Sequence, residues 1–230
     1  MKTKYEEMLP HELEEALRQF PVAYVAVGSL EWHGRHLALG TDTLKSYGIL
    51  LRTAEKYGGV VVPPTYWGHM AYWKPGCHPG LPQDIVDGLY IAIFRGLVTV
   101  GFKVVIGVTG HDVKEQVASL QKAADAISAD GKAIGFAMME GFLYDLPGDE
   151  MDHAAHWETS ILMCLRRELV EMDKIKDEVL TTEDGIKEAG ISGRDPRTEA
   201  SPELGEKIVN RIADNIGKKA QALLAGVQSS

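Results

Sequence analysis

Short β-branched runs alternate with segments of helical spacing along this chain, and that alternation leaves few folds open. Val22 to Val27 is a valine-rich apolar run that ends at Gly28 and Ser29, and it reads as a first strand. Before it, His11 to Phe20 is helix-like. After it, Thr43 to Tyr57 places Leu44, Tyr47, Leu51 and Ala54 at helical spacing and stops at Gly58-Gly59. Val60 to Val62 is a second strand closed by Pro63 and Pro64, Lys103 to Val108 a third and Lys132 to Met138 a fourth. Helices at Asp84 to Val100 and Lys114 to Ser128 lie between them. Strand and helix in turn imply an α/β fold with a mostly parallel sheet and helices on both faces.

Later, His156 to Arg167 predicts another helix. Pro202 to Leu224 repeats Leu204, Ile208, Ile212, Ile216, Ala220 and Leu224 every fourth residue, the stripe of a helix docked on a core. Between them, Val179 to Ser201 mixes glycine, proline and charge and reads as an irregular excursion or a subunit contact. With 230 residues, 45% of them hydrophobic, and no repeat or linker, the chain reads as a single domain over 1–230.

Charge and cysteine narrow the function classes. The formal net charge is -9, from 33 acidic and 24 basic residues, with no basic run or basic-aromatic stripe, so no nucleic acid partner is expected. No apolar run suits a signal peptide core or a membrane span. Cys77 and Cys164 lie far apart outside any C-x-x-C arrangement, which suits neither a disulfide framework nor a cysteine metal site and fits a cytoplasmic location.

Ligands of open parallel sheets sit beyond the carboxyl ends of the strands, and the ionisable residues gather there. Glu31, His33, Arg35, His36 and then Asp42 follow the first strand; His111 and Asp112 follow the third; Asp152, His153, His156 and Glu158 lead into the later helix. Imidazole mixed with carboxylate suits Zn, Mn or Fe. On extended backbone Glu31 and His33 share a side. A long loop, Thr65 to Pro82, holds Trp67, His69, Tyr72, Trp73 and His78 and reads as a binding loop.

The stretch Gly28-Ser-Leu-Glu-Trp-His-Gly-Arg-His36, continued to Thr41-Asp42, resembles the first motif of the creatininase family. His78-Pro-Gly80 resembles its PGT loop, Thr109-Gly-His111 its NGH motif, and His153-Ala-Ala-His-Trp-Glu-Thr-Ser160 its HAGE-x-ETS motif. The resemblance implies a creatininase-like three-layer α/β/α fold, two divalent metal ions and a homo-oligomer, commonly a hexamer. It assigns Glu31, Asp42 and His111 to one metal and His33 and Asp42 to the other, with Asp42 bridging. A water held between two such cations loses its proton near neutral pH.

This chain departs from the family at the last ligand. His156 stands at the HAGE carboxylate position and is expected to complete the second metal, with Asp112 as the substitute. His153 matches the family's proton shuttle. Glu158 is either a partner that orients a histidine or an acceptor in the first helical turn. Trp73, His78, Trp157 and His36 are candidate substrate contacts, and Arg35 is either a contact for an anionic or hydroxyl-rich substrate or a solvated loop charge. The implied function is a metal-dependent hydrolase of a small polar cyclic molecule, with a cyclic amide first. Alternatives are carbon-carbon cleavage of an inositol-derived cyclic diketone and a metal-binding scaffold without catalysis.

Overall fold

The structure is a computed structural model that describes residues 2–69, 79–145, 151–175 and 180–228. Helix α1 (Pro10–Gln19) leads to β1 (Val22–Val27), α2 (Thr41–Tyr57), β2 (Val60–Val61), α3 (Gln83–Val100), β3 (Val104–Thr109), α4 (Lys114–Ala129) and β4 (Ile134–Met139). Then come α5 (His156–Leu165), the short α6 (Glu183–Ala189) and α7 (Pro196–Glu199), and the long α8 (Pro202–Gln228). The excursion that sequence leaves irregular therefore carries α6 and α7. Thr182 Oγ1 accepts from Gly185 N to start α6, and the left-handed Gly190 ends it.

The sheet order is β2-β1-β3-β4, and every pairing is parallel. Alternate strand residues feed opposite faces. Val22, Tyr24 and Ala26 of β1 and Val104, Ile106 and Val108 of β3 pack with α2, α5 and α8, burying Ile49, Leu50, Ile161, Ile208, Ile212 and Ile216. Ala23, Val25, Val27 and Val105 pack on the other face with α1, α3 and α4, burying Tyr90, Phe94, Leu120 and Ile127. The result is the three-layer α/β/α arrangement.

Helix α8 lies against α2 through its apolar stripe and is clipped at the rim, where Arg52 donates to Glu206 and Asn210 and Lys56 pairs with Asp214. A smaller cluster of Leu37, Ala154, Ala155, Leu162, Val170, Ile175 and Ile191 supports the loop after β1 and the start of α5. Among the described residues no helix is long and apolar enough to cross a membrane.

Candidate metal centre

Sheet register sets the site. Val27 of β1 lies level with Thr109 of β3, and Thr109 with Met139 of β4, so the loops leaving three strands emerge at one edge. Glu31 and His33 follow β1, His111 follows β3 and Glu140 follows β4, while Asp42 sits in the first turn of α2 and Glu158 in the first turn of α5. Close backbone approach brings α2 to this edge. A Cβ on Gly110 would lie 2.1 Å from the Asp42 carbonyl oxygen, so only glycine lets β3 pass directly beneath that helix turn. Gln116, fully buried, ties the strand ends together by donating to Gly28 O at 3.1 Å and accepting from His69 N at 2.9 Å.

The side chains converge. His33 Nε2 lies 2.9 Å from Asp42 Oδ1 and 3.4 Å from Glu158 Oε2. His111 Nδ1 lies 2.8 Å from Glu31 Oε2 and 3.0 Å from Asp42 Oδ2. Three groups, Glu31-Asp42-His111, His33-Asp42-Glu158 and Glu31-His33-His153, each present ligand atoms within 4.8 Å of one another. Asp42 belongs to the first two and turns a different oxygen toward each. Ring stacking at 4.6 Å sets His153 beside His33, and His153 Nε2 donates to Trp32 O at 2.9 Å.

These residues fit a metal pair. His33 Nε2 and Asp42 Oδ2, both facing the cluster, are buried without a well-directed hydrogen bond, an arrangement that is costly unless a cation satisfies it. His33 Nδ1 is set 3.1 Å from Glu31 O, and donation to that carbonyl fixes the tautomer that leaves Nε2 as ligand. Burial opposes the charge on His33, yet Asp42 and Glu158 raise its pKa to about 9. Burial likewise opposes His111, which Asp42 and Glu31 raise to about 10. Despite burial, the two histidines hold Asp42 well below the usual carboxylate range. The same carboxylates that would hold a metal therefore favour a proton on these imidazoles, and metal and proton would compete for the site.

Sequence reasoning missed two residues behind this cluster. Lys45, only 1% exposed, sets Nζ 2.5 Å from Glu158 Oε1 and 2.7 Å from Glu140 Oε1. Burial pushes the Glu140 pKa up to about 7 against the pull of Lys45. Signals for both were present: Lys45 lies one helical turn beyond Asp42 on the same face, and Glu140 is an acid directly after a strand, like Glu31.

The other expected residues divide. Glu31, His33, Asp42 and His111 come together, with His153 alongside. His156 does not join them: its Nδ1 lies 2.7 Å from Asp152 Oδ2 and Arg194 donates to its Nε2 at 2.7 Å, so both ring nitrogens are engaged elsewhere. Glu158, rather than His156, shares a group with His33 and Asp42, and exposed Asp112 belongs to none of the three groups. Trp157 is a correction of another kind. It is 1% exposed and packs within the core edge-on to Tyr144, because the first turn of α5 points it at the sheet rather than at an open site. His36 is buried and bonded through Nε2 to Thr159 Oγ1 at 3.0 Å, and so braces α5 instead of lining a surface. Arg35 is exposed. Trp73 and His78 lie outside the described residues.

Known proteins agree with this architecture. A family model described as Creatininase: Creatinine amidohydrolase matches residues 6–219. The chain is 29% identical over 228 residues to the mycofactocin precursor peptide peptidase of Mycolicibacterium smegmatis, covering 85% of this chain and 84% of that protein. It is 25% identical over 182 residues to the creatinine amidohydrolase of Pseudomonas putida, covering 68% of each. A solved creatininase of the Zn-Zn type, carrying a Glu-to-Gln mutation, superposes with a TM-score of 0.79 at 21% identity, over 96% of this chain and 98% of that one. With a family match across nearly the whole chain and a fold shared over its full length, the protein belongs to the creatininase family of metal-dependent hydrolases.

Proposed function

We propose that this protein hydrolyses an amide C-N bond in a small polar substrate, a cyclic amide first, using two divalent ions of Zn, Mn or Fe. The observation that carries the reading is Asp42, whose two oxygens face two separate ligand groups. Glu31, Asp42 and His111 would hold one ion and His33, Asp42 and Glu158 the other. Such an ion pair, when bound, supplies Lewis acidity and a nucleophile from water at neutral pH. Support for amide chemistry comes from two relatives whose names describe an amidohydrolase and a peptidase.

The chain's own residues then have distinct work. His153, with Nε2 donating to the Trp32 carbonyl and its ring against His33, stands beside the ligand cluster. Imidazole exchanges protons near neutral pH, so His153 carries the proton to the departing nitrogen. Asp42 keeps the two positions in fixed relation.

A panel of cyclic amides, short peptides and inosose-type ketones, assayed with Zn, Mn and Fe, tests the reading. Turnover of amides is expected; turnover of ketones alone would overturn it. His153→Ala should retain its metal and lose about 10²- to 10⁴-fold in turnover. Failure of the wild-type protein to take up Zn, Mn or Fe would defeat the metal-dependent mechanism outright.

A further inference from the structure

We propose that Lys45 is a positioning residue for the metal position built from His33, Asp42 and Glu158. It engages one carboxylate oxygen of Glu158 so that only the other faces the ligand cluster, and Glu140 restrains Lys45 in turn. The proposal rests on the two-ion reading above and adds to it a device that sets how firmly one ion is held.

The geometry separates the two oxygens of Glu158. Oε1 lies 2.5 Å from Lys45 Nζ, while Oε2 accepts from Ala154 N at 2.6 Å and lies 3.4 Å from His33 Nε2. A lysine ammonium has three N-H donors and no acceptor. Lys45 donates to Glu158 Oε1 and to the Gly110 carbonyl 3.5 Å away, and it forms an ion pair with Glu140 Oε1 at 2.7 Å without a well-directed hydrogen bond. The Trp157 ring, its centroid 5.6 Å from Nζ, closes the remaining side. No water-facing route is left for this cation, which is 1% exposed, so its charge must be met by the two buried acids.

Two carboxylates therefore share one ammonium, and their competition has a direction. Whatever fraction of the ammonium Glu158 takes reduces the negative charge it offers an ion, and occupies the oxygen that would make it bidentate. Glu140 draws Lys45 away and limits that loss. A catalytic site needs an unfilled coordination position, and one-oxygen binding by Glu158 provides it. Lys45 and Glu140 feel the charge of Asp42, which both positions share, but only Glu158 is held directly by Lys45, so the device acts chiefly on the His33 position.

The test is zinc titration of the metal-free protein against a chromophoric chelator, with cobalt(II) absorption as the coordination readout. His33→Asn and His111→Asn identify which equivalent belongs to which position. Lys45→Met should tighten the His33 position about tenfold and Glu140→Gln should weaken it about tenfold, the order expected for one buried charge a few ångströms from an ion. The His111 position, which shares Asp42, should move in the same direction but by less in each variant. Cobalt absorption should weaken in Lys45→Met as Glu158 becomes bidentate and the coordination number rises. Because Lys45→Met alone leaves two buried acids without a cation, Lys45→Met/Glu140→Gln serves as a charge-balanced variant; Glu140 acts by restraining Lys45, so without Lys45 most of its effect is lost and the double variant should still bind more tightly than wild type, though by less than Lys45→Met. Folded variants with wild-type affinities and spectra would overturn the proposal and leave Lys45 a packing residue. Absence of a second equivalent in the wild-type protein would instead overturn the two-ion reading, and the proposal with it.

Discussion

Asp42 is the residue on which the centre turns, because each of its oxygens serves a different histidine. Asp42→Asn should therefore lower occupancy at both positions, whereas His111→Asn should empty one; metal analysis of the purified variants distinguishes a shared ligand from a private one. His36 makes a second prediction. Burial, reinforced by the nearby His33, holds its pKa down to about 4, against about 6.5 when unfolded. Between those values the unfolded chain binds the extra proton, so the stability this group contributes is present above pH 6.5 and lost as pH falls to 4. At 1.36 kcal/mol per unit the loss is about 3 kcal/mol. Urea unfolding at pH 7 and pH 4 should show wild type losing about that much more than His36→Asn; equal losses would refute the assignment. Single residues also show where sequence reasoning stopped. Glu31, His33, Asp42 and His111 were legible because each stands at the end of a strand or the head of the following helix. His156 turns away from the cluster for a reason that helical geometry supplies. Positions 156 and 158 are about 200° apart on a helix, so when Glu158 faces the cluster His156 must face away, toward Asp152 and Arg194.

Elements were read more surely than contacts. β1 and β3 are apolar, bounded by glycine or proline, and buried on both faces, which is why composition alone marks them. β2 pairs through only Val60 and Val61, one residue short of the Val60 to Val62 run that the prolines mark in the sequence. How α2 reaches the site was not legible, since it depends on a missing side chain at position 110 rather than on one present. Gly110→Ala should push against the Asp42 carbonyl, costing about 1–3 kcal/mol and reducing metal content in the folded fraction. Gly96→Ala in α3 supplies the contrast: a Cβ there meets nothing within 4 Å, so thermal unfolding should show a gain of about 0.5–1 kcal/mol from helix propensity. If both changes cost alike, close approach is not what Gly110 provides.

At the scale of the whole molecule, most of the formal charge of -9 belongs to the surface, but the buried acids Glu31, Asp42, Glu140 and Glu158 concentrate negative charge at one edge of the sheet. Ions bound there stabilise the folded state over the unfolded one. At free metal a hundredfold above Kd the gain would be about 2.7 kcal/mol for each ion, so chelation should lower the melting temperature by about 5–10 °C per ion removed for a chain of this size. A melting temperature indifferent to chelator would show that the folded chain gains nothing from metal.

Chain order adds a kinetic meaning to this architecture. Glu31, Asp42 and His111 all lie on the amino-terminal side of α4, whereas the contact from Lys45 to Glu158 spans 113 residues. A chain that has laid down β1, α2 and β3 already owns every ligand of one position. The other awaits α5, and with it the closure of a much longer loop, which is slower to form. Loading should then be sequential during folding, and refolding into cobalt(II) should show two absorbance phases, the later one abolished by Glu158→Gln.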